Sequence, residues 1–413
     1  MLINIQKTLR QNLAGKLLNH FIVFLINVLI VRMMGPDQSG AYFNELYILN
    51  FIAFIFSMGM DFSVVRLLSQ EPALAGPLKK MISLVVLFFI AIASGFIFFT
   101  RENNLLSLQP RIAMLIFCTG NLLLILFQGW LSAVKKFNTQ NIILLSSNFI
   151  FLIWLFLNKN MEAPAALFSI SYGYASLFII QGLLMYLFSI PSLTSLQKKV
   201  KISWYTFLKG GTVIMLSSLA YFGFLRVDNF FVEKYTNPQT LSNYVQCGKV
   251  GQYFIYFSSI ISSTMLPFMR IEGFATSYKG WVKMLRPYVS LLIVASLIIL
   301  IFGAKLFPLV FGDGFHEMFF YMAILLPGYV CLGMLTLINT VYIGKGKLLR
   351  MLYGDIGGFL LVIILDFFFV PKYGAVGAAV ISSVAYCLLF IYLFLGLRKL
   401  FLEKGYDETL QYE

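Results

Sequence analysis

The chain has 413 residues, of which 60% are hydrophobic and 12% charged, and its formal net charge is +14. Soluble domains average about 45–50% apolar and about 25% charged residues, so a water-soluble array of domains, a disordered chain and a secreted disulfide scaffold are all excluded. The basic excess does not mark a nucleic-acid-binding protein either: in a chain this apolar it records membrane topology, and its distribution matters more than its sum.

A helix needs about 20 apolar residues to cross the hydrocarbon core, and twelve such runs follow one another along the chain. In the first half they cover 17–34, 42–60, 81–99, 112–131, 142–157 and 166–188. Lys7, Arg10 and Lys16 precede the first run and no small-residue cleavage site follows it, so an uncleaved span is expected rather than a signal peptide. The second half holds 206–225, 244–268, 288–310, 319–342, 351–370 and 375–397. The fifth run is short, and the eighth is interrupted by Gly248, Lys249 and Gly251.

Twelve spans place alternate loops on one side. With a cytoplasmic amino terminus, that side receives 22 of the 31 Lys and Arg residues, including Lys79 and Lys80, Lys135 and Lys136, Lys198 to Lys209, Arg270 to Arg286 and Lys345 to Arg350. Both termini are therefore expected in the cytoplasm. The longest polar stretches, 189–209 and 270–287, are connectors. A membrane polymerase or glycosyltransferase would bring a larger loop or an acidic catalytic motif, so no enzyme is expected. Four dispersed cysteines and the distant pair His20 and His316 build no metal site, and Gly344-Lys-Gly-Lys347 lacks the spacing of a phosphate loop, so no cofactor is expected.

Local patterns recur about half a chain apart: Gly40-Ala-Tyr42 with Ser242-Asn-Tyr244, the arginine-ended segment 58–66 with 265–270, and Lys135-Lys136 with Lys345 to Lys347. Because each half holds an even number of spans, the copies share one orientation, as in parallel-repeat transporters. This predicts an all-α membrane protein of two six-helix lobes, 1–200 and 201–397, around a central cavity, followed by a cytoplasmic tail over 398–413.

Ionisable side chains at membrane depth cost about 2.5–3.5 kcal/mol on insertion scales and normally face a cavity or a partner. Arg32, Glu45, Asp61, Arg66, Arg226, Asp228, Lys249, Lys305 and Asp366 fall in or beside spans. Arg226 and Asp228 close the seventh run, and their two-residue spacing rules out a same-face helical pair. Either the helix unwinds there, or the two groups serve different partners. Arg66 and Arg270 stand at matching places in the two halves, where paired guanidinium groups suit a diphosphate; the alternative is an ordinary topology anchor. Glu45, Asp61 and Asp366 are acids that a proton or sodium gradient could use.

The segment Val31-Arg-Met-Met-Gly-Pro-Asp-Gln-Ser-Gly-Ala-Tyr42 resembles the turn after the first span of bacterial polysaccharide-unit translocases, the Wzx-type O-antigen flippases. The resemblance continues in order through Met58 to Arg66, Leu225-Arg-Val-Asp228, Leu266-Pro-Phe-Met-Arg270, Phe311-Gly-Asp-Gly314, Gly344 to Lys347 and Tyr373-Gly-Ala-Val-Gly-Ala-Ala379. Ser39 departs from it, where that family often has an aromatic residue. The set also resembles the wider superfamily that holds drug/cation antiporters and peptidoglycan lipid flippases. It implies a twelve-helix transporter of the bacterial inner membrane that moves undecaprenyl-diphosphate-linked oligosaccharide to the outer leaflet, with a polysaccharide polymerase and a chain-length regulator as partners. In that reading Arg66 and Arg270 receive the diphosphate, Arg226 and Arg32 attract it further along, Asp228 pairs with or gates Arg226, and Glu45 and Asp61 couple the ion. The other reading, a drug or cation antiporter, predicts an acid-lined cavity.

Overall fold

The computed structural model describes residues 2–102, 108–161, 163–189, 203–265, 278–344 and 347–402. The fold is all-α, with no strand among the described residues. Among the described residues, nine helical stretches are long and apolar enough to cross a membrane. Two of them, 15–57 and 348–397, contain two crossings each, and a tenth, more polar helix brings the total to twelve.

The first long helix, α1 (Leu2–Ser57), turns back at Gly35, whose φ of 73° and ψ of 178° only glycine adopts readily, and Pro36 starts the second crossing. A short helix, α2 (Met60–Gln70), then leads into α3 (Ala75–Glu102), α4 (Arg111–Ala133), α5 (Phe137–Leu157) and α6 (Ala163–Ser189). The second half runs through α7 (Trp204–Phe224), α8 (Val227–Tyr235), α9 (Pro238–Met265), α10 (Tyr278–Phe311), α11 (Glu317–Gly344) and α12 (Leu348–Leu402). Helix α12 bends at Gly374, three residues after Pro371, and so holds the last two crossings.

Lipid dictates this architecture, because every backbone polar group in the hydrocarbon must be satisfied within the helix. The outward faces of α3, α10 and α12 expose Leu87, Phe88, Phe99, Ile301, Leu309, Phe367 and Phe368, the belt that acyl chains cover. Helices α1 to α6 pack mainly among themselves, and α7 to α12 do likewise. The halves meet where α1 lies along α9 and α2 along α7.

Contacts between the halves stand at opposite ends. On the side of the amino terminus, Gly59 and Gly211 bring α2 and α7 into backbone contact that leaves no space for a Cβ on either. At the far end, the Gly40 N–H donates to the Ser242 hydroxyl at 2.7 Å and Pro36 covers Gly314. Gly40 and Ser242 belong to the recurring pair Gly40-Ala-Tyr42 and Ser242-Asn-Tyr244. Residues that are counterparts in a repeat and also touch each other lie where a two-fold axis would pass.

Several crossings extend beyond their apolar runs. The seventh occupies α7 and α8 together, 204–235, instead of ending at 225, and the eighth begins at Pro238 instead of 244. Arg226 and Asp228 thus lie within the seventh crossing rather than closing it. The physical reason is burial: each is 4% exposed, so neither meets the lipid that makes charge costly in a hydropathy scan.

Candidate functional site

The site begins at a break in a helix. Helix α7 ends at Phe224 and α8 starts at Val227; Arg226 between them has φ −138° and ψ −14° and stands at the N-cap of α8. Broken helices at membrane depth are tolerated where the freed backbone lines protein or a cavity. The break also sends the two charges apart, as the two-residue spacing requires.

Arg226 points toward the first half. Its guanidinium lies 4.1 Å from the centre of the Tyr47 ring, and Nη2 has no hydrogen-bond partner among the described residues. Space for it comes from α9, where Gly248 faces Nη1 and Gly251 faces the Tyr329 ring so closely that any side chain at 251 would overlap it. The glycines that interrupt the eighth apolar run therefore make room for an arginine and a tyrosine.

Lys249, between those glycines, reaches the other way. Its ammonium donates to Asn27 Oδ1 at 2.5 Å and rests on the Phe43 ring, while Asn27 Nδ2 donates to Gln246 Oε1 at 2.9 Å. Asn27, Phe43, Tyr47, Asn50, Tyr174 and Lys249 line a cavity of about 150 Å³ between the halves. No acid lines it. Lys249 lines this space and Arg226 stacks behind its Tyr47 wall, while Asp228, the acid within electrostatic reach of Arg226, does not line it, so an anion would suit the cavity.

The acids face elsewhere. The Asp228 carboxylate accepts from the Tyr244 hydroxyl at 2.6 Å, the Ser382 hydroxyl at 2.8 Å and the Asn229 N–H at 2.9 Å. Asp366, on the first part of α12, is fully buried within electrostatic reach of Asp228, and neither of its oxygens has a partner among the described residues.

Of the other residues singled out from the sequence, Glu45, Asp61 and Arg32 do not join this site. Glu45 Oε1 accepts from the Leu108 N–H at 2.7 Å and Oε2 from the Gln109 N–H at 3.2 Å, holding the chain that enters α4. Asp61 occupies the first turn of α2, with Oδ1 unpartnered. Arg32 is exposed; its Nε donates to the Val310 carbonyl at 2.8 Å and Nη2 to the Leu309 carbonyl, so it caps the end of α10 and ties the halves at the far side. Arg66 sits on α2, but its side chain lies outside the described ones, and Arg270 lies outside the described residues.

Lys249 is the residue that the sequence signalled and spacing alone did not place: the interruption of the eighth run was its mark. Asn27, Tyr47, Asn50 and Tyr174 carried no signal. Uncharged polar residues are frequent in these spans, and only packing selects the ones that converge.

No protein-family model matches the sequence, and no curated protein matches it. Solved structures do. An inward-facing multidrug resistance transporter of the MATE family and MOP superfamily aligns over 93% of this chain and 96% of its own, with a TM-score of 0.72 at 10% identity. The lipid II flippase MurJ in an inward closed conformation aligns over 94% of this chain and 87% of its own, with a TM-score of 0.68 at 17% identity. A MOP superfamily transporter from Pyrococcus furiosus, described by the reverse polarity of its binding pocket, covers 96% of both chains with a TM-score of 0.68 at 11% identity. The chain has the fold of these membrane transporters.

Proposed function

We propose that this protein is a flippase of the same superfamily that moves a lipid-linked oligosaccharide diphosphate across the bacterial inner membrane, with undecaprenyl diphosphate as the carrier and a surface polysaccharide such as O-antigen as the product. The observation that carries the reading is the polarity of the central cavity. Lys249 lines it, Arg226 stacks behind its Tyr47 wall, and no acid faces it. A drug or cation antiporter needs the opposite charge at that place. A diphosphate is the anion that suits two cations fixed a short distance apart, and the neutral amides and tyrosines opposite suit hydroxyl-bearing sugar rings.

The contacts at Gly59–Gly211 and Gly40–Ser242 hold the halves together at both ends. Transport then requires the halves to part alternately along α1 and α9 and along α2 and α7. The basic loops on the side of the amino terminus make that side cytoplasmic, and removing Arg226 and Lys249 from the loops on the other side sharpens the asymmetry. Arg66 and Arg270 would receive the diphosphate at the cytoplasmic mouth; replacing both by glutamine is expected to abolish export at normal protein level. Asp228 and Asp366 form the pair best placed to bind the proton or sodium ion that drives the cycle.

Leaflet-resolved mass spectrometry of undecaprenyl-linked oligosaccharide, with and without the protein, tests the reading. Accumulation of complete units on the cytoplasmic face after its loss is the expected result. An unchanged pool together with increased sensitivity to cationic drugs would overturn it in favour of the antiporter.

A further inference from the structure

A third buried acid in the second half belongs to neither the cavity nor the Asp228–Asp366 pair. Asp355 lies on the first part of α12, seven residues from its start, and is 2% exposed. One carboxylate oxygen accepts from the Ser217 hydroxyl of α7; the other is buried with no partner among the described residues. Tyr221, one turn beyond Ser217, faces the same carboxylate and bonds Thr336 of α11. No cation faces Asp355 from α7, α11 or the rest of α12 among the described residues, so its charge is compensated by a bound proton or left uncompensated in the hydrocarbon.

The position of Asp355 relative to Asp366 is specific. Eleven residues on a helix make a rise of about 16 Å and return to within about 20° of the same face. The two acids thus stand one above the other along the face of α12 that packs on α7 and α8, one nearer the amino-terminal side and one nearer the far side. Between them lies a packed row of rings, interrupted as a hydrogen-bonded path by Phe224. Tyr221 neighbours Phe224 at 6.4 Å, Phe224 meets Tyr386 edge-on at 5.0 Å, and the Tyr386 hydroxyl is in hydrogen-bonding reach of Ser382, which donates to Asp228. The counterpart of this stretch of α12 in the first half is α5, which has no charged residue over Phe137–Leu157. The acids are therefore a departure from the repeat rather than a requirement of its packing.

We propose that Asp355 is a separate proton-binding station, distinct from the Asp228–Asp366 pair and reached from the amino-terminal side of the membrane. It rests on the reading of the chain as a gradient-driven transporter, although the proton itself is observable without transport. Protonation here is transfer only: the carboxylate oxygen without a partner takes a proton from water on the amino-terminal side and later returns it to water, with no bond to carbon made or broken.

Infrared difference spectroscopy between acid and alkaline buffer, on the full chain in nanodiscs of phosphatidylethanolamine and phosphatidylglycerol, reads the carboxyl C=O stretch directly. The wild type is expected to show resolved components from buried protonated acids. Asp355→Asn should remove one, Asp366→Asn should remove a different one, and Ser217→Ala should shift the first without removing it. A spectrum of Asp355→Asn that superimposes on the wild type overturns the proposal. If that variant does not fold, Asp355→Glu decides, because a proton site must shift its component and a mere partner of Ser217 leaves the spectrum as it was. In reconstituted vesicles Asp355→Asn should slow transport about tenfold and flatten its pH profile. A wild type that keeps the Asp355 component but moves no lipid-linked sugar would refute the transport reading and leave the proton site standing.

Discussion

The two halves of the molecule share a helical plan and differ in what they bury. Inside the first half the buried polar side chains are almost all neutral: Asn121 donates to Asn50 at 2.6 Å, Gln181 to Asn148 at 3.0 Å and Asn148 to Asn19 at 2.8 Å, and Glu45 is the one buried acid or base among the described residues there. The second half buries Arg226, Asp228, Asp355 and Asp366, and it supplies the cavity lysine. Amide pairs satisfy one another without net charge and fix helix register at modest cost, whereas isolated charges in hydrocarbon are kept for what they bind. The first half is thus built as a neutral wall, and the buried charges are concentrated in the second.

The sharpest way to break this comparison is to remove the charge at and behind the cavity wall. Arg226→Met together with Lys249→Met should abolish export at normal membrane levels, since each charge-assisted contact contributes about 1.5–3 kcal/mol, or about 10- to 100-fold in affinity; radiolabelled lipid-linked sugar in inverted vesicles checks it. Next comes Asp366→Asn, which is expected to leave binding of the diphosphate within about threefold while uncoupling transport from the ion gradient, seen as a rate that no longer responds to ionophores. Asn148→Leu tests the opposite half. It strips Asn19 and Gln181 of a partner and should lower stability by about 1–3 kcal/mol, measured by thermal unfolding in detergent, with transport per folded molecule unchanged. Loss of transport in that variant without loss of stability would mean that the neutral half also handles substrate. The smallest effect belongs to Arg32→Gln, which removes a cation from the end of α10 worth about 0.3–1 kcal/mol; cysteine crosslinking between the halves at the far side should fall only slightly.

Much of the fold was legible because lipid reads each span separately. An apolar run long enough to cross is recognisable without knowing its neighbours, and the twelve runs reappear as crossings. Legibility failed where a span is shielded by protein. The seventh run was cut at Arg226 because a hydropathy scan charges every ionisable group as though lipid surrounded it, while α9 and α12 enclose this one. The same holds for the site. Arg226 and Asp228 stood out as charges at depth, and their spacing already required either a break or separate partners; the structure has both. Arg32 looked equivalent from the sequence, yet it caps α10 instead of facing the cavity, since which way a long side chain turns depends on carbonyls 277 residues away.

By itself, then, the sequence determined the medium, the number of crossings and the basic side, all properties that each segment expresses alone through the cost of putting polar groups in hydrocarbon. Only the tertiary structure decided that Asn27 meets Lys249, that Tyr47 takes Arg226, and that Asp228 and Asp366 do not line the cavity. Those pairings join residues up to 222 positions apart, and contact at such distance is set by how whole helices pack, which no local pattern of hydrophobic and charged residues encodes.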